Sequence, residues 1–118
     1  MKKVDLINEK NLHEERVAAA LSIMPTDLRL SGIAALFKAM GEPSRLKILF
    51  ALSAGELCVD HIVEAVGGNQ SAVSHQLKVL KDNRILRARR EGKNVLYSIA
   101  DGHVMTIIQM AKEHIDCE

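Results

Sequence analysis

The chain has 118 residues, 47% of them apolar but only 3% aromatic and none of them Trp, so one domain is expected, with a core of Leu, Ile, Val, Ala and Met. A formal net charge of +1 excludes a globally basic or acidic protein, and two distant cysteines, Cys58 and Cys117, exclude a disulfide framework and fit a reducing cytoplasm. MKKVDLINEKN is not followed by an apolar stretch and no apolar run is long enough to cross a bilayer, so neither a signal peptide nor a membrane partner is expected.

Residues 1–12 read as a flexible polar N-terminal arm, and 13–118 as the folded domain. An Ala-rich helix is expected over about 13–23, stopping before Pro25. Next, TDLRLSGIAALFKAMG places Leu30, Ile33, Phe37 and Met40 on one helical stripe, with Gly41 as its stop. Pro43 sits where a first-turn proline belongs and opens a helix with Leu46, Leu49 and Phe50 facing inward, ended by Gly55. LCVDHIVEAVGG reads as a third helix of this group, with Ile62, Val63 and Val66 inward. The turn GGN then leads to QSAVSHQLKVLKDNRI, where Val73, Leu77 and Leu80 recur at i, i+4 and i+7. LRARREGKNVLYSIA alternates on both sides of Glu91-Gly92-Lys93, as a β-hairpin would. A last helix starts at Asp101.

Two short helices joined by a Gly-containing turn are the helix-turn-helix pattern, whose second helix enters the DNA major groove. Gln70, Ser71, Ser74, His75 and Gln76 have the length and chemistry for base edges; Gln pairs bidentately with adenine, and Ser donates or accepts. Lys78 falls near phosphates, and the hairpin tip with Arg89, Arg90 and Lys93 suits a wing laid on the backbone or minor groove. Residues 78–93 carry seven Lys/Arg against two acids, a local +5 in a nearly neutral protein, which suggests a dedicated anionic contact. The expected architecture is therefore mainly α with a small β-hairpin: a winged helix-turn-helix on double-stranded DNA.

The terminal helix, DGHVMTIIQMAKEHIDCE, carries metal-ligand side chains at both ends. His103 and His114 are eleven residues apart, so they share a face but lie about 16 Å apart. Ligands of one Zn(II) must converge to about 2.0–2.3 Å from the metal, which one straight helix cannot do with this pair. Two antiparallel copies can: Asp101 and His103 of one chain meet His114 and Cys117 of the other, giving two equivalent intersubunit sites. The alternative is that Asp101 is only a helix cap and both His are exposed polar positions. Val104, Ile107, Ile108 and Ala111 lie beside these ligands and are expected in the dimer interface. A zinc hydrolase fits poorly, because four protein ligands leave no open position for water; no enzyme is expected.

From about residue 30 onward the sequence resembles the ArsR/SmtB family of metal-responsive winged-helix repressors. ELCVDHI (56–62), SAVSHQLKVLK (71–81), REGKNVLYSI (90–99) and the terminal Asp-x-His…His-x-x-Cys carry the resemblance. It implies a homodimer that holds an operator without metal and releases it on binding an inducing ion. The family's C-terminal-helix site matches Asp101, His103 and His114. Its fourth position is usually His or Glu, where this chain has Cys117 with Glu118 beside it as the alternative. A second family site joins the ELCV segment to the partner's N-terminal arm; here Cys58, His61 and His13 are its candidates, with Asp60 as an alternative oxygen donor. Cadmium and lead sensors of the family have Cys-x-Cys plus arm cysteines, and arsenic sensing needs a thiolate cluster; neither is present. The expected regulatory ligand is Zn(II). The competing readings are a sensor of Co, Ni or Cd, and a winged-helix regulator with vestigial metal sites.

Overall fold

The computed structural model describes the backbone of residues 2–117 and the side chains of residues 8–117. The chain divides into two compact units, one up to Gly32 and one from Ile33 on. In the first, Lys2–Ser22 forms a single helix, α1. The segment read as a polar arm is thus helical from Lys2 and continuous with the expected Ala-rich helix. Neither Gly nor Pro interrupts residues 2–22, so nothing local separates the two stretches. α1 ends ahead of Pro25, and Thr26 Oγ1 accepts from the Arg29 N–H at the start of α2 (Asp27–Met40).

The second unit builds on the end of α2, followed by α3 (Pro43–Leu52), β1 (Leu57–Cys58), α4 (Val59–Val66), α5 (Gln70–Asp82), β2 (Leu86–Glu91), β3 (Asn94–Ile99) and α6 (Gly102–Asp116). Pro43 occupies the first turn of α3 as expected. Asn69 caps α5, its side chain accepting from the Ala72 N–H at 2.8 Å, and Asp101 caps α6. The far end of α5 closes without glycine: Arg84 takes the left-handed conformation (φ 61°) and the Ile85 N–H donates to the Leu80 carbonyl.

The hairpin pairs Leu86 with Ile99 through Glu91 with Asn94, leaving Gly92 and Lys93 as its two-residue turn, with Gly92 at φ 62°. A third strand joins it. Leu57 and Cys58 pair antiparallel with Tyr97 and Leu96, giving sheet order β1-β3-β2. The stretch read as one helix from Leu57 thus begins as a strand, and Cys58 is the residue that precedes α4.

Ile48, Leu49, Ile62, Leu77, Leu80 and Ile85 are fully buried, and Val73, Leu86, Val104 and Ile108 pack around them. The α5 stripe is buried as its spacing requires. Two other expectations shift. Val104 and Ile108, read as interface residues, belong to the core of a single chain, whereas Met110 and Ile115 of α6 are exposed. On α2 only Met40 of the expected stripe is buried; Leu30, Ile33 and Phe37 remain exposed, as do Val17 and Leu21 of α1. Among the described residues, no single helix is long and apolar enough to cross a membrane.

Leu80→Ala removes a side chain with no exposed surface and should destabilise by about 2–5 kcal/mol in urea denaturation. Lys81→Ala, its exposed neighbour, should stay within about 0.5 kcal/mol of the parent.

Candidate nucleic-acid interface and metal ligands

The burial of Val73, Leu77 and Leu80 turns Ser71, Ser74, His75 and Lys78 outward, while Gln70 lies near the angle of the buried stripe and is exposed because it opens the helix; all five are exposed. Gln76 departs from the expected set. It is half-buried, and its Oε1 accepts from an Arg45 guanidinium nitrogen of α3 at 2.9 Å. At about 100° per residue it lies on the inward flank, near Val73 and Leu80 rather than Ser74. Lys78 pairs with Asp82 at 2.8 Å, which raises its pKa above the ordinary lysine range.

On the wing, the three expected cations are not equivalent. Arg89 reaches Glu56 with two nitrogens, at 2.8 and 2.9 Å, and Glu91 at 2.9 Å. The Glu56 hydrogen bond and charge raise the Arg89 pKa, and the same bond lowers that of Glu56. Among the described residues, no carboxylate pairs with Arg90 or Lys93. Sequence reading missed Arg45 and Glu56 because their partners are 31 and 33 residues away, beyond any local spacing rule.

Asp101 Oδ1 accepts from the His103 backbone N–H at 2.8 Å and lies 3.1 Å from His103 Nδ1. This backbone bond, with the nearby ring, holds the Asp101 carboxyl below its ordinary range. The cap is therefore intact at neutral pH and lost only as pH falls through that depressed value. The His103 side chain is 93% exposed, and His114 and Cys117 are exposed at the other end of α6. Glu118, the alternative ligand, lies outside the described residues. Within a single chain, no three His, Cys, Asp or Glu among the described residues come together as a metal site.

The second candidate set is brought together only in part. Cys58 and Asp60 line one cavity of about 220 Å³ with Ser74, Lys93 and Tyr97. His61 is exposed on α4 and is not among the residues lining that cavity; His13 is exposed on α1.

A helix pair with a Gly turn, an exposed polar second helix and a three-stranded antiparallel wing defines a winged helix-turn-helix, a class of DNA-binding regulator and not of enzyme. Residues 42–88 match the model for bacterial regulatory proteins of the arsR family. The chain is 37% identical to a transcriptional repressor SmtB homolog of Synechocystis over 96% of this chain and 86% of that protein. It is 33% identical to a cadmium resistance transcriptional regulatory protein CadC homolog of Staphylococcus aureus, over 93% of this chain and 91% of that one. A homodimeric winged helix-turn-helix DNA-binding domain from Mycobacterium bovis superposes with a TM-score of 0.71 at 32% identity, covering 79% of this chain and 89% of that one. The chain belongs to the arsR family, the ArsR/SmtB group of metal-responsive winged-helix transcriptional repressors that its motifs resemble.

The unequal wing cations give a test of its expected contact with DNA. Arg90→Ala and Lys93→Ala should each shallow the salt dependence of binding by up to about one unit, and Arg89→Ala by less. Glu56→Gln should steepen it by freeing Arg89. Equal losses for all three cations would show that Glu56 yields Arg89 to a phosphate without cost.

Proposed function

We propose that the chain acts as a homodimeric repressor that holds operator DNA in the metal-free state and releases it on binding Zn(II) between two α6 helices. One observation carries this reading: paired donors stand exposed at opposite ends of one continuous helix, Asp101 and His103 at the start and His114 and Cys117 at the end. Their chemistry fits zinc. Each intersubunit site offers one carboxylate, two imidazoles and one thiolate, a set of oxygen, nitrogen and sulfur donors that suits tetrahedral Zn(II). The cadmium resistance relative raises a softer ion as the competing ligand, but a single thiolate per site favours zinc.

Dimerisation is supported by the exposed apolar residues of α1, α2 and α6, which a lone chain leaves in water, and by the homodimeric neighbour. The second candidate set is less suited to a cation. Lys93 lines the same cavity as Cys58 and Asp60, so a positive charge already stands there. We assign sensing to α6, base contacts to Gln70, Ser71, Ser74 and His75, and phosphate contacts to Lys78, Arg90 and Lys93.

Zinc shifts the dimer only by its differential affinity for the two states, and operator DNA must weaken zinc binding by the same factor. His103→Ala and His114→Ala should keep operator binding without metal and lose the zinc response in fluorescence anisotropy; Cys58→Ser should keep most of it. Release of DNA by both His variants at parental zinc concentrations would move the sensor to the Cys58 region. With Co(II) as the probe, Cys117→Ser should abolish the near-ultraviolet thiolate charge-transfer band. If the band instead vanishes in Cys58→Ser, the thiolate ligand is Cys58. Sedimentation of the metal-free protein at micromolar concentration should show two chains; a monomer would undo the intersubunit site.

A further inference from the structure

Arg45 occupies a position that the DNA reading does not use. Its side chain is only 14% exposed and bridges three elements. Nε donates to the Ala39 carbonyl and a terminal nitrogen to that of Lys38, both in the last turn of α2. The guanidinium also pairs with Glu42 at 2.6 Å, just ahead of α3. Its remaining reach, across 31 residues of sequence, is to Gln76 Oε1 of α5 at 2.9 Å. A planar guanidinium offers several donors in a fixed fork, so one group can hold several acceptors at set angles; an ammonium cannot reproduce that fork.

The buried face of α5 is otherwise aliphatic: Val73, Leu77 and Leu80 lie in one core cluster with Ile48, Leu49 and Ile62. Such packing is strong but non-directional. The bond to Gln76 is the directional link from α5 to α3 and the end of α2. With Oε1 engaged, Gln76 is also poorly placed for the two-bond adenine pairing, which needs that oxygen as an acceptor.

We infer that Arg45 and Gln76 form a positioning lock that fixes the roll of the recognition helix, so that Gln76 governs sequence selectivity without reading a base. This rests on α5 being the recognition helix. Loss of the lock lets the outward side chains sit less consistently in the groove. Binding to the preferred duplex weakens, while charge-driven binding to any duplex changes little. The preferred bases stay the same.

The test uses the full reduced chain without metal. A preferred duplex is selected from a random pool with the parent protein, and affinities for it and for a scrambled duplex are compared by anisotropy, with reselection for each variant. Gln76→Ala and Arg45→Lys should each lower the preferred-to-scrambled ratio by roughly threefold to tenfold, the range of a typical net hydrogen-bond contribution. Both should reselect the parental sequence, and combining them should cost little more than either alone. Gln76→Glu keeps an acceptor for Arg45 but loses the amide donor, so it should restore the ratio. Thermal melts exclude an unfolded variant, and Gln76→Ala carries the test alone if Arg45→Lys fails to fold.

A changed base preference in Gln76→Ala, failure of Gln76→Glu to restore the ratio, or additive losses in the double variant would each overturn the lock. So would an unchanged ratio in a Gln76→Ala protein that only melts earlier. Ser74→Ala separates this from the underlying assignment: its ratio or reselected sequence should change. If it does not, α5 is not the reading helix, and the DNA assignment itself fails.

Discussion

The inward face of α5 decides what its outward face can present. Val73, Leu77 and Leu80 sink among Ile48, Leu49 and Ile62, and the helix has no second way to bury them. A shift of one residue in that register would rotate the outward set by about 100° and bring Ser74 and Lys78, or Ala72 and Gln76, into the buried stripe. Aliphatic packing sets the gross orientation because burying each such side chain contributes about 1.5–3 kcal/mol. Being non-directional, it does not by itself fix the finer roll of the helix, to which base-edge hydrogen bonds are sensitive. A directional contact such as that between Arg45 and Gln76 therefore matters more than its own strength suggests.

Much of this was legible in the sequence, and what was not has identifiable causes. The i, i+4, i+7 recurrence in α5, Pro43 at the head of α3 and the Gly92-Lys93 turn are local signals, and each element forms where they stand. β1 escaped notice because two residues are too few to show an alternating period. α1 extends through the expected arm because polar composition was read as absence of structure, although nothing there breaks a helix. The stripes on α2 and α6 were seen, but a stripe does not say what covers it. On α6 it divides between residues that its own core takes, Val104 and Ile108, and residues left outside, Met110 and Ile115. Gln76 illustrates the same limit: polarity placed it on the DNA side, whereas its angle on the helix places it against Arg45. The pairing of Glu56 with Arg89 spans 33 residues, and no local pattern shows it.

Asp101 joins two roles that the sequence set against each other. It is the cap of α6, and its carboxylate also stands beside the His103 ring. The cap does not argue against the ligand. A carboxylate that accepts a backbone N–H is kept ionised, the form a cation requires, and its position is fixed before any metal arrives. In the proposed intersubunit site this pair would supply one half and the partner chain the other.

The position of Asp101 in the fold bears on how a change at the start of α6 would reach α5. Asp101 directly follows Ala100, whose N–H donates to the Ile85 carbonyl at 2.9 Å. Ile85 in turn donates its own N–H to the Leu80 carbonyl, the bond that closes the end of α5. One covalent step and two backbone hydrogen bonds thus connect a candidate ligand to the last buried residue of the helix expected to read DNA. Ile85 and Leu80 are both without exposed surface, so neither bond can be exchanged for water without opening the core. A reorientation of the first turn of α6 must either strain this link or move the end of α5 with it. Close packing favours the second, because an interior at crystal-like density passes small displacements on rather than absorbing them.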